Sequence, residues 1–287
     1  MLVNILKLID PDFPEVLAQI PSAPQQIYWS GQPPKQWLDR PRLAVVGSRK
    51  MTPYGQSVTN KLVASLAQIG VVIISGLAYG IDTCAHRAAL AVGGTTVAVL
   101  PSSLDQIYPA AHTNVARQIL ENGTLISEYP KGEDIAFKAN FIARNRLISG
   151  LADVLLITEA AVNSGSLHTA RFALEQGKTV MAVPGNITSP TGEGCNNLIK
   201  SGAVPVTQVD DILFALKLSP AKQRVVTNFS GSELERTIFE LIKDGVAAQE
   251  ELATAAAMDG SALSSTLTML EISGYIRPMG GGNWTVA

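Results

Sequence analysis

The stretch Leu43-Ala44-Val45-Val46-Gly47-Ser48-Arg49 decides the fold. Four apolar residues in unbroken succession, without the polar alternation of a half-exposed strand, read as a strand covered on both faces. A glycine, a serine and a cation then follow at once. Apolar runs of the same kind recur at 71–74, 96–100, 124–126, 154–157 and 179–183. Helix-like segments separate them at 55–69, 82–91, 113–121, 140–151, 166–176 and 196–200. Strand and helix alternate at the spacing of βαβ units, which predicts an open, doubly wound α/β fold with a mostly parallel sheet.

To either side the pattern changes. Residues 1–42 hold Pro11, Pro14, Pro21, Pro24, Pro33, Pro34 and Pro41 and little periodicity, the pattern of a short helix and an extended arm packed on the main domain. The α/β domain is expected over 43–220, a polar linker over 221–231, and a small separate module over 232–287. In that module Leu234, Ile238, Leu241 and Ile242 define one amphipathic helix. Leu252, Ala253 and Ala256 define a second, and Leu263, Leu267 and Leu270 a third. A hairpin turned at Gly280-Gly281-Gly282-Asn283 completes a winged helix.

The 287 residues carry 22 basic and 24 acidic side chains, a formal charge of −2. A protein that coats polyanions by bulk charge would be strongly basic, so that class is excluded. The charge is unevenly divided. Residues 230–287 hold three basic and eight acidic residues, a net of −5, while 1–229 hold 19 and 16, a net of +3. The winged module is therefore expected not to be a strong DNA binder, its own field opposing phosphate. Cys84 and Cys195 alone exclude a disulfide framework. With no signal-like start and no apolar run of about 18 residues, a cytoplasmic protein without a membrane segment is expected.

In a doubly wound sheet, ligands bind beyond the carboxyl ends of the strands. Four such ends carry small polar residues: Gly47-Ser48-Arg49-Lys50, Ser75-Gly76-Leu77-Ala78-Tyr79-Gly80, Ser164-Gly165-Ser166 and Pro184-Gly185-Asn186. Each alone is an ordinary turn. Together, with Arg49 in the first, they point to an anion site, because glycine lets a backbone approach a ligand and helix N-termini offer free N–H groups. The site is not a dinucleotide fingerprint: G-x-G-x-x-G is missing, and Ser75 stands where a ribose-binding acid is expected. Nor is there a phosphate-binding G-x-x-x-x-G-K-[ST].

Lys138-Ala139-Asn140-Phe141-Ile142-Ala143-Arg144-Asn145-Arg146 places three cations and an aromatic within nine residues. On a helix, Phe141 and Asn145 share a face with Arg144 beside them. Cations for phosphates and a ring for bases are the ingredients of single-stranded nucleic-acid binding. Phe141 fits a stacking surface or the core equally well. Enzymatic arrangements are thin. Asp82, Cys84 and His86 lack further ligands at metal spacing, and read as a helix cap with a local hydrogen bond. His168 has no nucleophile elbow nearby. Glu128 and Glu159, at strand ends, have no partner for acid–base work. No metal, cofactor or catalytic residue is expected.

These residues resemble the bacterial DNA processing protein A (DprA/Smf) family. The resemblance runs from about Phe13 to Ala203. Its carriers include Ala44-Val45-Val46-Gly47-Ser48-Arg49 with Tyr54-Gly55, Ser75-Gly76-Leu77-Ala78 with Gly80-Ile81-Asp82 and Ala85-His86, and Tyr108-Pro109. Further carriers are Phe141 with Arg144-Asn145-Arg146, Ser164-Gly165-Ser166-Leu167, and Val183-Pro184-Gly185. Pro101 and Ser103 depart from the family's glycines, and Ile142 from its proline. The resemblance implies an extended Rossmann-like domain and a non-catalytic, dimeric single-stranded-DNA-binding protein of natural transformation and recombination. Such a protein protects incoming DNA and helps load RecA recombinase. It implies a DNA pocket at Arg49, Lys138, Phe141 and Lys178, in the company of Ser75, Gly76, Asn145, Ser164, Gly165 and Ser166. Arg144 and Arg146 belong to the same motif, with pairing to a buried carboxylate as their alternative. The competing class is a nucleotide-binding Rossmann-like enzyme such as a nucleoside-monophosphate phosphoribohydrolase. Its P-G-G-x-G-T-x-x-E stretch is not matched by Pro184-Gly185-Asn186-Ile187-Thr188.

Overall fold

A computed structural model describes residues 2–132, 138–218 and 231–286, with Lys138 described in its backbone only. The expected linker at 221–231 falls almost wholly outside these residues. The chain divides into two compact units, Met1–Ala221 and Lys222–Ala287.

The first unit is built on nine strands: β1 (Asn4–Lys7), β2 (Gln26–Gly31), β3 (Arg42–Val46), β4 (Val72–Ser75), β5 (Thr96–Leu100), β6 (Thr124–Ser127), β7 (Val154–Ile157), β8 (Thr179–Ala182) and β9 (Val204–Pro205). Its helices are α1 (Glu15–Ala18), α2 (Pro53–Gln68), α3 (Ile81–Ala91), α4 (Thr113–Asn122), α5 (Lys138–Leu151), α6 (Ser166–Glu175), α7 (Glu193–Lys200) and α8 (Val209–Ala215). The strand order is β1-β2-β6-β5-β4-β3-β7-β8-β9. From β3 to β9 every pairing in the sheet is parallel. The chain runs outward from β3 to β6, then returns to lay β7, β8 and β9 on the other side of β3. The switch in direction therefore falls between β3 and β7, where a crevice opens in a doubly wound sheet.

The unbroken apolar runs follow from this layering. Ala44 and Val46 of β3 pack into one core with Leu17, Trp37, Leu147 and Leu151. Leu43 and Val45 pack into another with Leu62, Leu66, Ile81 and Ala85 on α2 and α3. Both faces of the strand are buried, so neither side of it is polar.

The residues before β3 differ from the expected arm. They supply β1 and β2, which join the sheet antiparallel, β2 along β6 and β1 along β2. β1 alternates half-buried and exposed positions. One covered face and one solvated face suit an edge strand, and the density of prolines around it hides so short an alternation. The segments β9 and α8 also lie outside the expected elements.

In the second unit α9 (Glu233–Lys243), α10 (Gln249–Ala255) and α11 (Gly260–Ile272) precede a hairpin of β10 (Ile276–Gly280) and β11 (Asn283–Val286). Ile238, Phe239, Ile242, Leu252, Leu263, Leu267 and Leu270 form its core. Ser232 and Glu235 cap α9 reciprocally, and the Asp259 carboxylate caps α11. This is a winged helix.

Candidate nucleic-acid interface

A cleft of about 880 Å³ lies over the carboxyl ends of β3 and β7. Arg49, Phe141, Arg144, Asn145, Ser164, Gly165 and Ser166 all line it. Thus the switch point gathers seven of the twelve residues singled out in the sequence.

The loop that carries Arg49 is held from below. Ser48 N–H donates to the Glu159 carbonyl at 2.7 Å, and the Glu159 carboxylate accepts from Thr52 N–H and Thr52 Oγ1, each at 2.8 Å. Glu159 is buried. Its carboxylate orders residues 47–52 and the start of α2. Gly80, at φ +77°, lets the 76–81 loop press against the backbone of Ser48 and Arg49, where any Cβ would collide. Ile81 N–H completes the contact by donating to the Ser48 carbonyl at 3.1 Å. Arg49 itself stays exposed. Its guanidinium stands 5.1 Å from the centroid of the Phe141 ring, and Tyr108 meets that ring edge-on at 5.3 Å. Phe141 is half-buried, and its ring is part of the cleft wall.

Opposite, α6 begins at the cleft with no side-chain cap on its N-terminus. Its first N–H groups and the positive end of its dipole favour an anion there. Asn145 Nδ2 donates to the Gly165 carbonyl at 3.4 Å and ties α5 to this turn.

Arg144 has another task. It is 3% exposed and donates to the carbonyls of Gly76 (2.7 Å) and Val99. Asp82 lies beneath the same cleft and accepts from Gly76 N–H at 3.1 Å. Burial pushes the Asp82 carboxyl above its usual range, with Arg144 pulling it back. Burial likewise brings Arg144 down to about 10, against the favourable field of Asp82. An arginine in the early turns of a helix opposes the macrodipole. The compensating anion and carbonyls are internal, so Arg144 braces the cleft floor. Gly76 is small because a Cβ there would sit 2.6–2.7 Å from that guanidinium. Asp82, expected as a helix cap, instead sits one residue inside α3, behind the Gly80 cap.

Four other residues lie away from the cleft wall or outside description. Ser75 is buried and donates to the Val45 carbonyl at 2.6 Å, so it joins neighbouring strands beneath the floor with Gly76. Arg146 points away and pairs with both oxygens of Glu128 at 2.7 and 2.8 Å, the carboxylate alternative its motif allowed. Lys178 precedes β8. By the parallel register it lies beside Asp153 and Arg42, at the amino ends of the strands and on the opposite edge of the sheet from Arg49. The Lys138 side chain lies outside the described residues.

Of the other groups weighed for catalysis, His168 is exposed in the cleft wall, whereas His86 is engaged. His86 is buried, with Nδ1 2.7 Å from Thr96 Oγ1. Thr96 donates to the Ile73 carbonyl, so Nδ1 carries the proton and Nε2 has none. The partner is across the α3–β5 contact and not local. Among the described residues no cluster of three metal-binding side chains occurs.

Sequence reading missed Glu159 as a brace and Tyr108 as part of the wall. Glu159 and Thr52 are 107 residues apart, and only the β3–β7 pairing joins them.

The fold and cleft define an α/β protein of Rossmann-like, doubly wound type, with an anion-favouring crevice at its switch point and a winged helix following it in the chain. The chain belongs to the family described as DNA recombination-mediator protein A, whose model matches residues 4–217; a DprA winged helix domain matches 219–282. It is 40% identical over 257 residues to Protein Smf of Escherichia coli K12, covering 84% of this chain and 67% of that protein. Among solved structures it is similar to DNA processing protein A from Streptococcus pneumoniae. That match has a TM-score of 0.70 and 39% identity, over 74% of this chain and 73% of the other. DNA processing protein A from Helicobacter pylori matches with a TM-score of 0.66 and 33% identity, over 75% and 95%. The Helicobacter pylori protein is described as having a unique single-stranded DNA binding mode.

Proposed function

We propose that this chain binds single-stranded DNA in the switch-point cleft, without catalysis, and passes it to RecA recombinase during natural transformation or related recombination. One observation carries the reading. An exposed arginine lies over a half-buried ring in a cleft whose described wall has a single carboxylate, Asp82, and that one is buried. Phosphate is drawn to Arg49, Lys50 and the α6 N-terminus, while Phe141 offers a base its face. Duplex DNA hides its bases in the stack, so a cleft of this kind favours single strands. Glu128 and Glu159, the two candidate general bases, are both engaged elsewhere. That supports a binding role over a phosphoribohydrolase.

The relatives' names and the shared fold support the wider role. We place the protein in the cytoplasm as a homodimer. No helix among the described residues is long and apolar enough to cross a membrane.

The test is binding of single- and double-stranded DNA across a salt series, for the full chain and for Arg49→Ala. About five phosphate contacts give a log–log salt slope near −3.5 on single strands. Arg49→Ala should lower affinity and flatten the slope by about 0.7. A flat salt response, or equal affinity for duplex, overturns the reading.

A further inference from the structure

A second depression, of about 500 Å³, lies between α2 and α3. We propose that it continues the DNA track: nucleotides that leave the cleft cross the 49–51 turn and lie in this groove, with Arg87 contacting phosphate and Tyr79 offering a base its ring. The inference rests on the single-strand reading of the cleft.

The two depressions share one ridge. Lys50 lines the cleft and Met51, the next residue, lines the groove; Ala78 lines the cleft and Gly80 the groove. The 47–51 and 78–81 turns are joined along that ridge by the Ile81 N–H to Ser48 carbonyl bond and by the close approach at Gly80. The crest carries two exposed cations, Arg49 and Lys50, and one exposed aromatic, Tyr79. A strand held at Arg49 therefore meets a cationic crest and then a furrow.

The furrow suits a polyanion. Arg87 is exposed and, among the described residues, has no ion pair. No described carboxylate lines the groove, and Gln56 and Asn60 of α2 add amides that bond to phosphate or base edges. Tyr79 is 49% exposed and is fixed by an edge-on contact with His112 at 4.8 Å. A ring already held in place loses little freedom when a base stacks on it. In turn His112 is anchored by Nδ1 donating to the Leu77 carbonyl at 2.7 Å. A cation with no described carboxylate beside it, and an exposed aromatic on the crest, parallel the cleft, whose one carboxylate, Asp82, is buried.

The experiment measures anisotropy of labelled oligothymidylates, from four to twenty nucleotides, with the full chain, Arg87→Glu and Tyr79→Ala. The expected result is length-dependent. Arg87→Glu lowers affinity for the long oligomers about tenfold or more and reduces the salt slope by about 0.7 or more. The shortest oligomers, filled by the cleft alone, bind as to wild type. Tyr79→Ala shows the same length dependence with a smaller loss. Both substitutions are at exposed positions, and an unchanged thermal midpoint confirms folding.

Equal affinity of Arg87→Glu and wild type at every length overturns the groove. So does an equal loss at every length, or a change in sedimentation showing that Arg87 serves contact between copies of this chain. If wild type itself binds no single strand, the cleft reading fails. If wild type binds through Arg49 and only the groove variants are silent, the cleft stands and this inference alone falls.

Discussion

The two ends of the sheet use their cations in opposite ways. At the amino ends Arg42 is locked to Asp153 at 2.5 Å, with Lys178 in the field of the same carboxylate. At the carboxyl ends Arg49 and Lys50 are exposed and have no ion pair among the described residues. Composition treats these cations alike. The structure separates charge consumed in closing the fold from charge left for a ligand. Arg144 shows the same division inside the cleft, since it donates to two carbonyls and lies in the field of Asp82, while Arg49 has no ion pair among the described residues.

That contrast breaks most severely at Arg144. Arg144→Ala leaves the Gly76 and Val99 carbonyls without their donor and takes its field from the buried Asp82, and each buried acceptor left unsatisfied costs about 1–3 kcal/mol. Denaturant unfolding should show that loss in the first unit. A variant of wild-type stability that no longer bound DNA would instead make Arg144 a ligand.

At the amino end, His86 should tie stability to pH. Burial first, then the fields of His112 and Arg144, depress it to about 3. The unfolded chain titrates near the ordinary 6.5 and so holds the extra proton between the two values. Stability is therefore full above about pH 6.5 and falls as pH drops toward 3, by up to about 1.4 kcal/mol per pH unit from this group. In urea melts across that window, His86→Gln should remove this part of the slope; an unchanged slope would show that other groups carry it.

Phe141→Ala tests the carboxyl end directly. Loss of a stacking surface should cost about 1–3 kcal/mol of single-strand affinity, with the thermal midpoint unmoved. The reverse pattern, lost stability and intact binding, would return the ring to the core. The smallest effect belongs to Lys178→Ala. Its position at the amino ends leaves single-strand affinity unchanged, and a loss comparable to Arg49→Ala would erase the distinction between the two ends. Removal of residues 230–287, whose acidic excess repels phosphate, should likewise leave single-strand binding largely intact.

Much of the fold is legible locally. β5 and β7 have the expected limits, and α2, α3, α4 and α6 differ by two residues or fewer at each end. Double burial writes itself as unbroken apolar runs, and helix periodicity survives between them. β1 and β2 are not legible because an edge strand of four residues and a proline-rich neighbour give too little period to read. At the site, glycine turns and the Lys138–Arg146 segment are legible as chemistry. The partner of each charge is not.

By itself the sequence determined the α/β alternation, the winged helix, the division of charge between the units and the residues able to meet an anion. These follow from periodicity and side-chain chemistry, which are local properties. Only tertiary structure decided that, among the described residues, Arg49 is exposed without an ion pair while Arg144 and Arg146 are engaged, and that Lys178 is at the amino ends of the strands. A cation's availability depends on which carboxylate or carbonyl lies within a few ångströms. Here those partners, Glu128, Asp82, Val99 and Asp153, come from distant segments brought together by the order and register of the strands.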